Sequence, residues 1–483
     1  MGNIKRELFL GVFYIAVAKY SGIFIQLVIT AILARLLTPA DFGVVAVATV
    51  IIAFFNILSD VGIGPAIIQN RELTSNDLEH IFSFTVYVGI VLSAVFFLCA
   101  WPIADYYNNN ALVSVCQWLS IPILFSCINI VPLNLQYKYK RFKFTAFTAL
   151  KAQTIAGIFS VAGAYFGMGL HALIISPIIS SVILFSIYYW QNRLHFFFKI
   201  RMEALRKIMF FSLYQFLFNL INYFSRNLDK LLIGRFIGMS PLGYYEKSYR
   251  LMLLPLQNIT FVVTPVMQPI FSSFQNNLYD LAEKYKKVLH LLAYISFPLS
   301  ALLYFTAREL ILIFFGNQWG EAIGIFQILA LTVSMQILTS TAGSIYQSAN
   351  ATKQLFVSGC WCAFFMIVSF CVTIFFWGTI EAVAYGFLIA QMANTVQCFY
   401  LLFRTLRYPI IAILKMLLRP FVIGLLLFFF LYVLGHFLPI ENMFASLFVK
   451  SVFSLVISLF LTQLLGGYDI LNYVRTKFNF IKR

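Results

Sequence analysis

The segment QFLFNLINYFSRNLDKLLIGRFIGMSPLGYYEKSYR (215–250) decides the fold of this chain. In its first half, polar side chains recur at intervals of four, three, four and three residues, which places them on one face of a helix. These residues are Gln215, Asn219, Asn222, Arg226 and Asp229, with Lys230 next to the last of them. A charge at mid-depth in a bilayer costs about 3 kcal/mol or more, so this polar face must contact protein or a water-filled cavity. We interpret it as one wall of a polar chamber inside a bundle of membrane helices.

The composition of the chain is that of an integral membrane protein. Of its 483 residues, 61% are hydrophobic and only 11% are charged, whereas soluble proteins are about half apolar and about a quarter charged. The net charge of +17 comes from Lys and Arg in short loops between apolar runs, a pattern typical of cytoplasmic loops rather than of nucleic-acid binding. The seven cysteines fall in or beside apolar runs and the five histidines are scattered, so the sequence predicts no disulfide framework and no metal site.

Apolar runs of the length that a bilayer core requires predict roughly fourteen transmembrane helices. Their approximate spans are 11–37, 41–58, 78–101, 111–133, 144–166, 170–190, 209–237, 242–266, 288–306, 323–348, 355–377, 382–404, 417–438 and 444–465. Lys and Arg are concentrated in alternate loops, which places both termini in the cytoplasm. The predicted fold class is therefore an all-α integral membrane protein.

An internal repeat appears at an offset of 200 residues. The sequence Ala34-Arg35, followed by Gly43, ends the first predicted helix, and Gly234-Arg235, followed by Gly243, ends the seventh. At the same offset, polar residues of the first helix lie opposite the polar face of the seventh: Lys19 with Asn219, Gln26 with Arg226, and Thr30 with Lys230. Six helices separate the copies, so both insert in the same direction. Such parallel repeats are related by an axis along the membrane normal, an arrangement that transporters use.

The repeat predicts two pseudo-symmetric six-helix lobes, 1–192 and 208–404. A basic, aromatic linker at 193–207 is expected to lie in the cytoplasmic interface as an amphipathic segment. Two further helices at 405–465 fall outside the repeat and are predicted to be accessory to the two lobes. The basic tail 466–483 either contacts anionic headgroups or only controls topology.

Cations outnumber anions among the ionisable residues predicted to lie in the membrane. These residues are Lys19, Asp60, Lys151, Arg226, Asp229, Lys230, Glu246, Lys247, Arg250 and Lys450. If they face one chamber, it is net positive and suits an anionic ligand, since Arg binds phosphate bidentately and Lys binds it as a point charge. A diphosphate is the obvious candidate for a lipid substrate. The residues predicted to bind it are Lys19, Arg226, Arg250 and Lys230.

Each of these residues also has a structural interpretation. Lys19 contacts substrate or forms a pair between the lobes, and Arg226 with Asp229 has the i,i+3 spacing of a structural or gating pair. Glu246 has i,i+4 spacing to Arg250 and is expected to neutralise it in part; it is also assigned to coupling or gating.

Other charged residues are predicted to act in coupling or gating, or to have no functional role. Arg35 and Arg235, at helix ends, are assigned to gating. Asp60 precedes Gly62, Gly64 and Pro65, where a helix break makes either a hinge or cation site, or a cap for the next turn. Lys151 and Lys450 are expected to extend toward the interface, which for Lys247 is the alternative to facing the chamber.

Neutral polar residues are the candidates for contacting sugar hydroxyls. They are Gln26, Asn219, Asn222, Gln336, Gln391 and Asn394. The alternative is that they hold helices together, at about 1 kcal/mol each.

Four segments give the chain a family resemblance: ARLLTPADFGVVA (34–46), LSDVGIGPAIIQ (58–69), GRFIGMSPLGYYEKSYRL (234–251) and TPVMQPIFSSFQ (264–275). They resemble Wzx-type polysaccharide transporters of the MOP exporter superfamily, in particular the branch with the colanic-acid exporter. The resemblance covers essentially the whole chain. It implies two six-helix lobes plus two extra helices in a bacterial inner membrane.

The resemblance also implies a substrate, an undecaprenyl-diphosphate-linked oligosaccharide moved from the cytoplasmic to the periplasmic leaflet. The family's cationic cavity corresponds here to Lys19 and Arg250. Relatives that flip the peptidoglycan precursor carry several arginines in the first two helices, whereas this chain has Lys19 and Arg35 in the first and no basic residue in the second. That difference argues against a peptidoglycan substrate. Membrane lipids, and polymerase and export proteins of the same pathway, are the expected partners.

Two rival functions remain open. A drug/cation antiporter of the same superfamily predicts an acid-dominated cavity, whereas bases dominate here. A membrane glycan polymerase or ligase needs a sizeable periplasmic loop, and the predicted outer loops are short. The sequence contains no P-loop, nucleophile elbow or HExxH motif, so we expect neither an enzyme nor a cofactor. The expected energy source is a cation gradient (Na⁺ or H⁺) or the membrane potential, with Asp60 or Asp229 as the coupling acid.

Overall fold

The computed structural model describes residues 2–60, 63–70, 72–198, 201, 223, 227–438 and 440–465, without the side chains of 2–13, 15, 60, 261–262, 264–266 and 268. Every regular element in these ranges is helical, which confirms the all-α prediction. In the first half these are α1 (Gly2–Leu36), α2 (Pro39–Asp60), α3 (Ile63–Gln69), α4 (Ser75–Tyr107), α5 (Ala111–Ile128), α6 (Ile130–Lys138), α7 (Phe142–Tyr165), α8 (His171–Asn192) and α9 (227–236). In the second half they are α10 (Met239–Ser272), α11 (Leu278–Phe305), α12 (Ala307–Phe315), a 3₁₀ turn (Asn317–Trp319), α13 (Ala322–Leu331), α14 (Val333–Ser340), α15 (Ala342–Ser348), α16 (Thr352–Phe376), α17 (Ile380–Thr405), α18 (Ile410–Phe437) and α19 (Met443–Leu464).

Most of the predicted membrane spans coincide with long apolar helices. In the described ranges, 11 helices are long and apolar enough to cross a bilayer, or up to 12 when a bent pair counts as one span. They match the first six and the last six predicted spans. The predicted seventh span, 209–237, lies largely outside the described residues, and the predicted eighth coincides with α10. The total of fourteen therefore stays a prediction.

Short polar motifs define where two of the long helices begin. The Thr38 hydroxyl and backbone N–H both donate to the Asp41 carboxylate, at 2.7 and 2.9 Å, where α2 starts. Thr74 and Asp77 form the same reciprocal capping box at the start of α4. Such boxes satisfy backbone N–H groups that a first helical turn leaves unpaired. The chain therefore turns sharply into each helix at a fixed residue.

One predicted span is interrupted at a position that the sequence analysis did not identify. The break expected after Asp60 would fall at 61 and 62, which lie outside the described residues, so it stays a prediction; α2 ends at Asp60 and α3 begins at Ile63. The predicted single span 323–348 is instead bent by 43° between α13 and α14. At the bend, the Thr332 hydroxyl donates to the Leu329 carbonyl at 2.7 Å. A side chain that competes for backbone carbonyls in this way bends helices.

The chain forms two compact units, Met1–Gly243 and Tyr244–Arg483. In the first unit, α4 packs on α5, and α7 packs on α1 and α8. In the second, α11 packs on α18, and α16 packs on α17. This division reflects packing, whereas the lobe boundaries at 192 and 208 came from the sequence repeat and stay predictions.

The start of the predicted linker is docked onto α4 in the first unit. Leu194 is buried in the core beside α3. The Phe197 backbone N–H donates to the Ser83 hydroxyl at 2.9 Å, and the His195 imidazole lies 2.8 Å from the Glu79 carboxylate. Residues 193–198 thus pack against the helices of the first unit. The rest of the predicted linker, 199–207, lies almost entirely outside the described residues, so its amphipathic character stays a prediction.

Candidate functional site

The polar face of α1 contains Lys19, the candidate phosphate ligand. The same face contacts α7. Lys19 is half-buried. Further along α1, toward its C-terminus, the Gln153 amide of α7 donates to the Gln26 side-chain oxygen at 2.9 Å and to the Gly22 carbonyl at 3.0 Å. Gln26 therefore holds two helices together in this conformation, which is the structural alternative considered for it. A sugar contact by Gln26 stays a prediction.

Most of the predicted polar face on the seventh span cannot be placed. Asn219, Asn222 and Arg226 lie outside the described residues. Asp229 is 3% exposed, and its carboxylate accepts a hydrogen bond from the backbone N–H of Lys230 at 2.8 Å. Lys230 itself is half-buried. A buried Asp facing protein is what the helical spacing of this segment predicts.

Two glycines of the internal repeat make reciprocal contacts with each other's segments. A Cβ built on Gly43 would overlap the Met239 carbonyl, with the carbonyl carbon 2.6 Å away. A Cβ built on Gly243 would overlap the Pro39 carbonyl in the same way, at 2.8 Å from the carbon. Positions 39 and 239, like 43 and 243, are equivalent in the repeat. Each copy of the repeat thus contacts the equivalent segment of the other in the same way, as in an isologous contact.

Arg235, assigned to gating in the second copy of the repeat, also lies in the first unit. The Arg235 guanidinium lies 5.0 Å from the Tyr106 ring centroid. It also donates to the side-chain oxygen of Asn108 at 2.8 Å, in the amide orientation that satisfies both polar atoms of Asn108. Arg235 thus binds the turn between α4 and α5. Its equivalent in the first copy, Arg35, is exposed, and gating roles for both stay predictions.

The charged residues of α10 differ sharply in exposure. Lys247 is 4% exposed, whereas Arg250 is exposed and Glu246 is half-buried. The alternative that Lys247 extends toward the interface is therefore wrong, because its side chain is enclosed by protein. Arg250 belongs to the second unit and Lys19 to the first, so a shared chamber stays a prediction.

Most of the remaining candidate residues lie in the described ranges, but no contact joins them into one site. Gln336 donates to the Thr332 hydroxyl at 2.8 Å, and Asn394 accepts from the Gln397 amide at 2.8 Å. Gln391 is 4% exposed. The backbone of Asp60 ends α2, and its side chain lies outside the described residues. Both hydrogen bonds join residues three or four positions apart in the chain, and sugar binding and coupling stay predictions.

A buried ion pair in the second unit was missed by the sequence analysis. The Lys450 ammonium of α19 contacts the Glu309 carboxylate of α12 and donates to the Phe305 carbonyl at 3.0 Å. The Ser446 hydroxyl donates to the same carboxylate at 2.6 Å. The expectation that Lys450 extends toward the interface is wrong, because this lysine neutralises a buried acid. Glu309 lies between two predicted spans, and only a search for its distant partner would have found the pair.

Replacing Lys450 with methionine is expected to destabilise the protein by about 3 kcal/mol, because the buried Glu309 carboxylate would lose its counter-ion. The double variant Lys450→Met, Glu309→Leu should recover most of that loss, since an apolar pair leaves no uncompensated charge. Thermal unfolding in detergent, followed with a thiol-reactive dye on the buried cysteines, measures both. Lys353→Met, at an exposed position, is the control. Equal melting temperatures for Lys450→Met and this control would contradict the assignment.

Comparison with known proteins identifies relatives of the whole bundle. A family profile described as "Polysaccharide biosynthesis protein" matches residues 32–324. The chain is 26% identical over 432 residues to the teichuronic acid biosynthesis protein TuaB of Bacillus subtilis, covering 88% of each chain. It is 24% identical over 413 residues to the lipopolysaccharide biosynthesis protein WzxC of Escherichia coli, covering 83% of this chain and 82% of that one.

Solved structures share the fold. The lipid II flippase MurJ, in an inward closed conformation, matches with a TM-score of 0.75 at 15% identity, over 93% of this chain and 98% of that one. An inward-facing multidrug resistance MATE transporter of the MOP superfamily matches with a TM-score of 0.62 at 13% identity, over 82% and 96%. At these identities the likeness concerns the fold alone. This shared fold agrees with the all-α multi-pass membrane architecture of the described helices.

The family profile covers more than half of the chain and includes the reciprocal Gly43 and Gly243 contacts. Together with the transporter fold, this confirms the resemblance described from the sequence. The chain belongs to the polysaccharide biosynthesis protein family.

Proposed function

We propose that this protein is a flippase that moves undecaprenyl-diphosphate-linked oligosaccharides from the cytoplasmic to the periplasmic leaflet of a bacterial inner membrane. The product would serve O-antigen, capsule or exopolysaccharide synthesis. The observation that carries the proposal is a polysaccharide-biosynthesis match over residues 32–324 in a chain with the fold of a multi-pass transporter.

The proposed mechanism replaces the hydration of the diphosphate with protein cations. Moving a charged headgroup through bare hydrocarbon is prohibitive, because a desolvated ion costs far more than any single contact returns. Lys19, Arg226 and Arg250 are proposed to contact the phosphates in a wet chamber, with Lys230 beside them. The isoprenoid chain would stay in lipid through a lateral gap. Rocking of the two lobes would then expose the headgroup to the other side.

Energy coupling is part of the proposal. A Na⁺ or H⁺ gradient or the membrane potential would drive the cycle, with Asp60 or Asp229 as the coupling acid. The burial of Asp229 supports its assignment, because an intramembrane carboxylate is retained mainly where it has a partner or a function.

Deletion of the gene is expected to stop surface glycan production and to leave lipid-linked single units on the cytoplasmic leaflet. The measurement is extraction of lipid-linked sugars, combined with their protection from a membrane-impermeant periodate label in intact spheroplasts. Units that accumulate accessible to the label would contradict the proposal and favour a polymerase or ligase.

The second candidate function, drug efflux, is favoured only by the fold shared with the MATE transporter. A drug-susceptibility panel on the same deletion strain separates the two. Unchanged glycan together with increased susceptibility to cationic drugs would overturn the flippase proposal.

A further inference from the structure

The second unit contains a polar cavity formed by elements outside the predicted phosphate chamber. Its volume is about 330 Å³, and it lies between the start of α12, the side of α13 and the turn joining α18 to α19. The charge distribution of the loops predicts that this end of the unit is periplasmic. The volume is at the lower end of the range for small-molecule sites and fits one sugar ring better than an extended chain.

One wall of the cavity includes a buried carboxylate with hydrogen-bonding capacity to spare. Glu309 is 6% exposed, and one of its carboxylate oxygens receives both the Lys450 ammonium and the Ser446 hydroxyl. The other oxygen is buried and accepts no hydrogen bond from any described residue. A buried carboxylate oxygen without a donor is unfavourable. Because that oxygen is itself enclosed by protein, the carboxylate that a ligand in the cavity can reach is that of the exposed Glu441, which favours a ligand that donates a hydrogen bond.

The charges around the cavity determine what kind of donor is suitable. Lys450 already neutralises Glu309, and the exposed Arg308 and Glu441 carry opposite charges at the rim. Two cations and two anions leave the cavity neutral, so a ligand with a net charge would be left uncompensated. A neutral hydroxyl donates to a carboxylate without adding charge.

The rest of the lining suits a hydroxyl-rich ring. The half-buried Gln327 side chain offers an amide that both donates and accepts. Phe305 supplies an apolar wall against which the C–H groups of a sugar ring can pack.

We propose that this cavity binds one neutral sugar residue on the periplasmic side of the membrane. Lys19, Lys230 and Arg250, which are proposed to bind the diphosphate, do not line it. The inference depends on the proposed function in one respect only, the identity of the glycan that supplies the sugar.

The test uses the full-length protein in nanodiscs and saturation-transfer-difference NMR. The probes are the methyl glycosides of glucose, galactose, rhamnose and N-acetylglucosamine, and the oligosaccharides that mild acid releases from the host's own surface glycan. We expect at least one probe to bind. Gln327→Ala and Glu441→Gln should each weaken binding about tenfold, the effect of losing one hydrogen bond that involves a charged or amide group. Glu381→Gln, at an exposed acid elsewhere in the same unit, is the matched control and should bind as the wild type does.

Three results would overturn the proposal. The first is binding of none of these probes, and the second is binding that Gln327→Ala and Glu441→Gln both leave unchanged. The third is displacement of the sugar by glycerophosphoethanolamine at lower concentration, which would make the cavity a site for a lipid headgroup. The outcome is distinguishable from failure of the proposed function. An unchanged glycan in the deletion strain refutes the flippase, whereas absent sugar binding with a clear deletion phenotype refutes only this cavity.

Discussion

Glycan production is expected to fall about 10- to 100-fold when Lys19 or Arg250 is replaced with alanine, because each variant loses a charge-assisted hydrogen bond to phosphate. Lys19→Arg keeps the charge and should retain most of the output. The measurement is surface polymer per cell in a deletion strain that carries the variant, with the amount of membrane protein determined in parallel.

Matched controls separate a role in binding from a general effect of losing a cation. Lys353→Ala and Arg419→Ala remove exposed positive charges elsewhere in the chain and should leave polymer output unchanged. If Lys19→Ala or Arg250→Ala also gives wild-type output, that residue has no part in substrate binding.

Valine at Gly43 or Gly243 is expected to reduce transport strongly, and the two variants should do so to a similar extent. Each Cβ would overlap a backbone carbonyl that no rotamer change can move aside, at Met239 for Gly43 and at Pro39 for Gly243. Overpacking of this kind costs about 1–3 kcal/mol, which shifts a conformational equilibrium by about 5- to 150-fold. The similarity follows from the equivalence of the two positions in the repeat.

Polymer output and spin-label distances measure this effect together. Labels at Thr38 and Ser240, in a cysteine-free background, should show weaker dipolar broadening in both valine variants, since the two segments can no longer approach as closely. Gly359→Val is the control, because a Cβ there meets nothing within 4 Å. Valine variants at Gly43 and Gly243 that behave like Gly359→Val would show that the close approach is not needed for transport.

Features with a short-range signature were predictable from the sequence. Apolar run lengths predicted the first six and last six spans, because the bilayer thickness fixes the length of a spanning helix. The 200-residue offset predicted equivalent positions, and the reciprocal glycine contacts occur at just those positions.

Features that depend on distant partners were not predictable. Lys450 and Glu309 are 141 residues apart and Gln26 and Gln153 are 127 apart, and no local period links them. The bend at Thr332 depends on which carbonyl a hydroxyl selects, which composition does not specify. The grouping of Lys19 with Arg250 is a sequence-based proposal, and the double alanine variant in the flipping assay tests it.

The most direct test of the account is flipping by the purified protein in proteoliposomes. A fluorescent undecaprenyl-diphosphate-linked oligosaccharide, isolated from the host, is placed in both leaflets, and a membrane-impermeant quencher reports the fraction that reaches the outer surface over time. The account predicts quenching well beyond the half expected for a static bilayer, and a return to about half when Lys19 and Arg250 are both replaced with alanine. Quenching that stays at half for the wild-type protein under an imposed Na⁺ gradient, H⁺ gradient and membrane potential would contradict it.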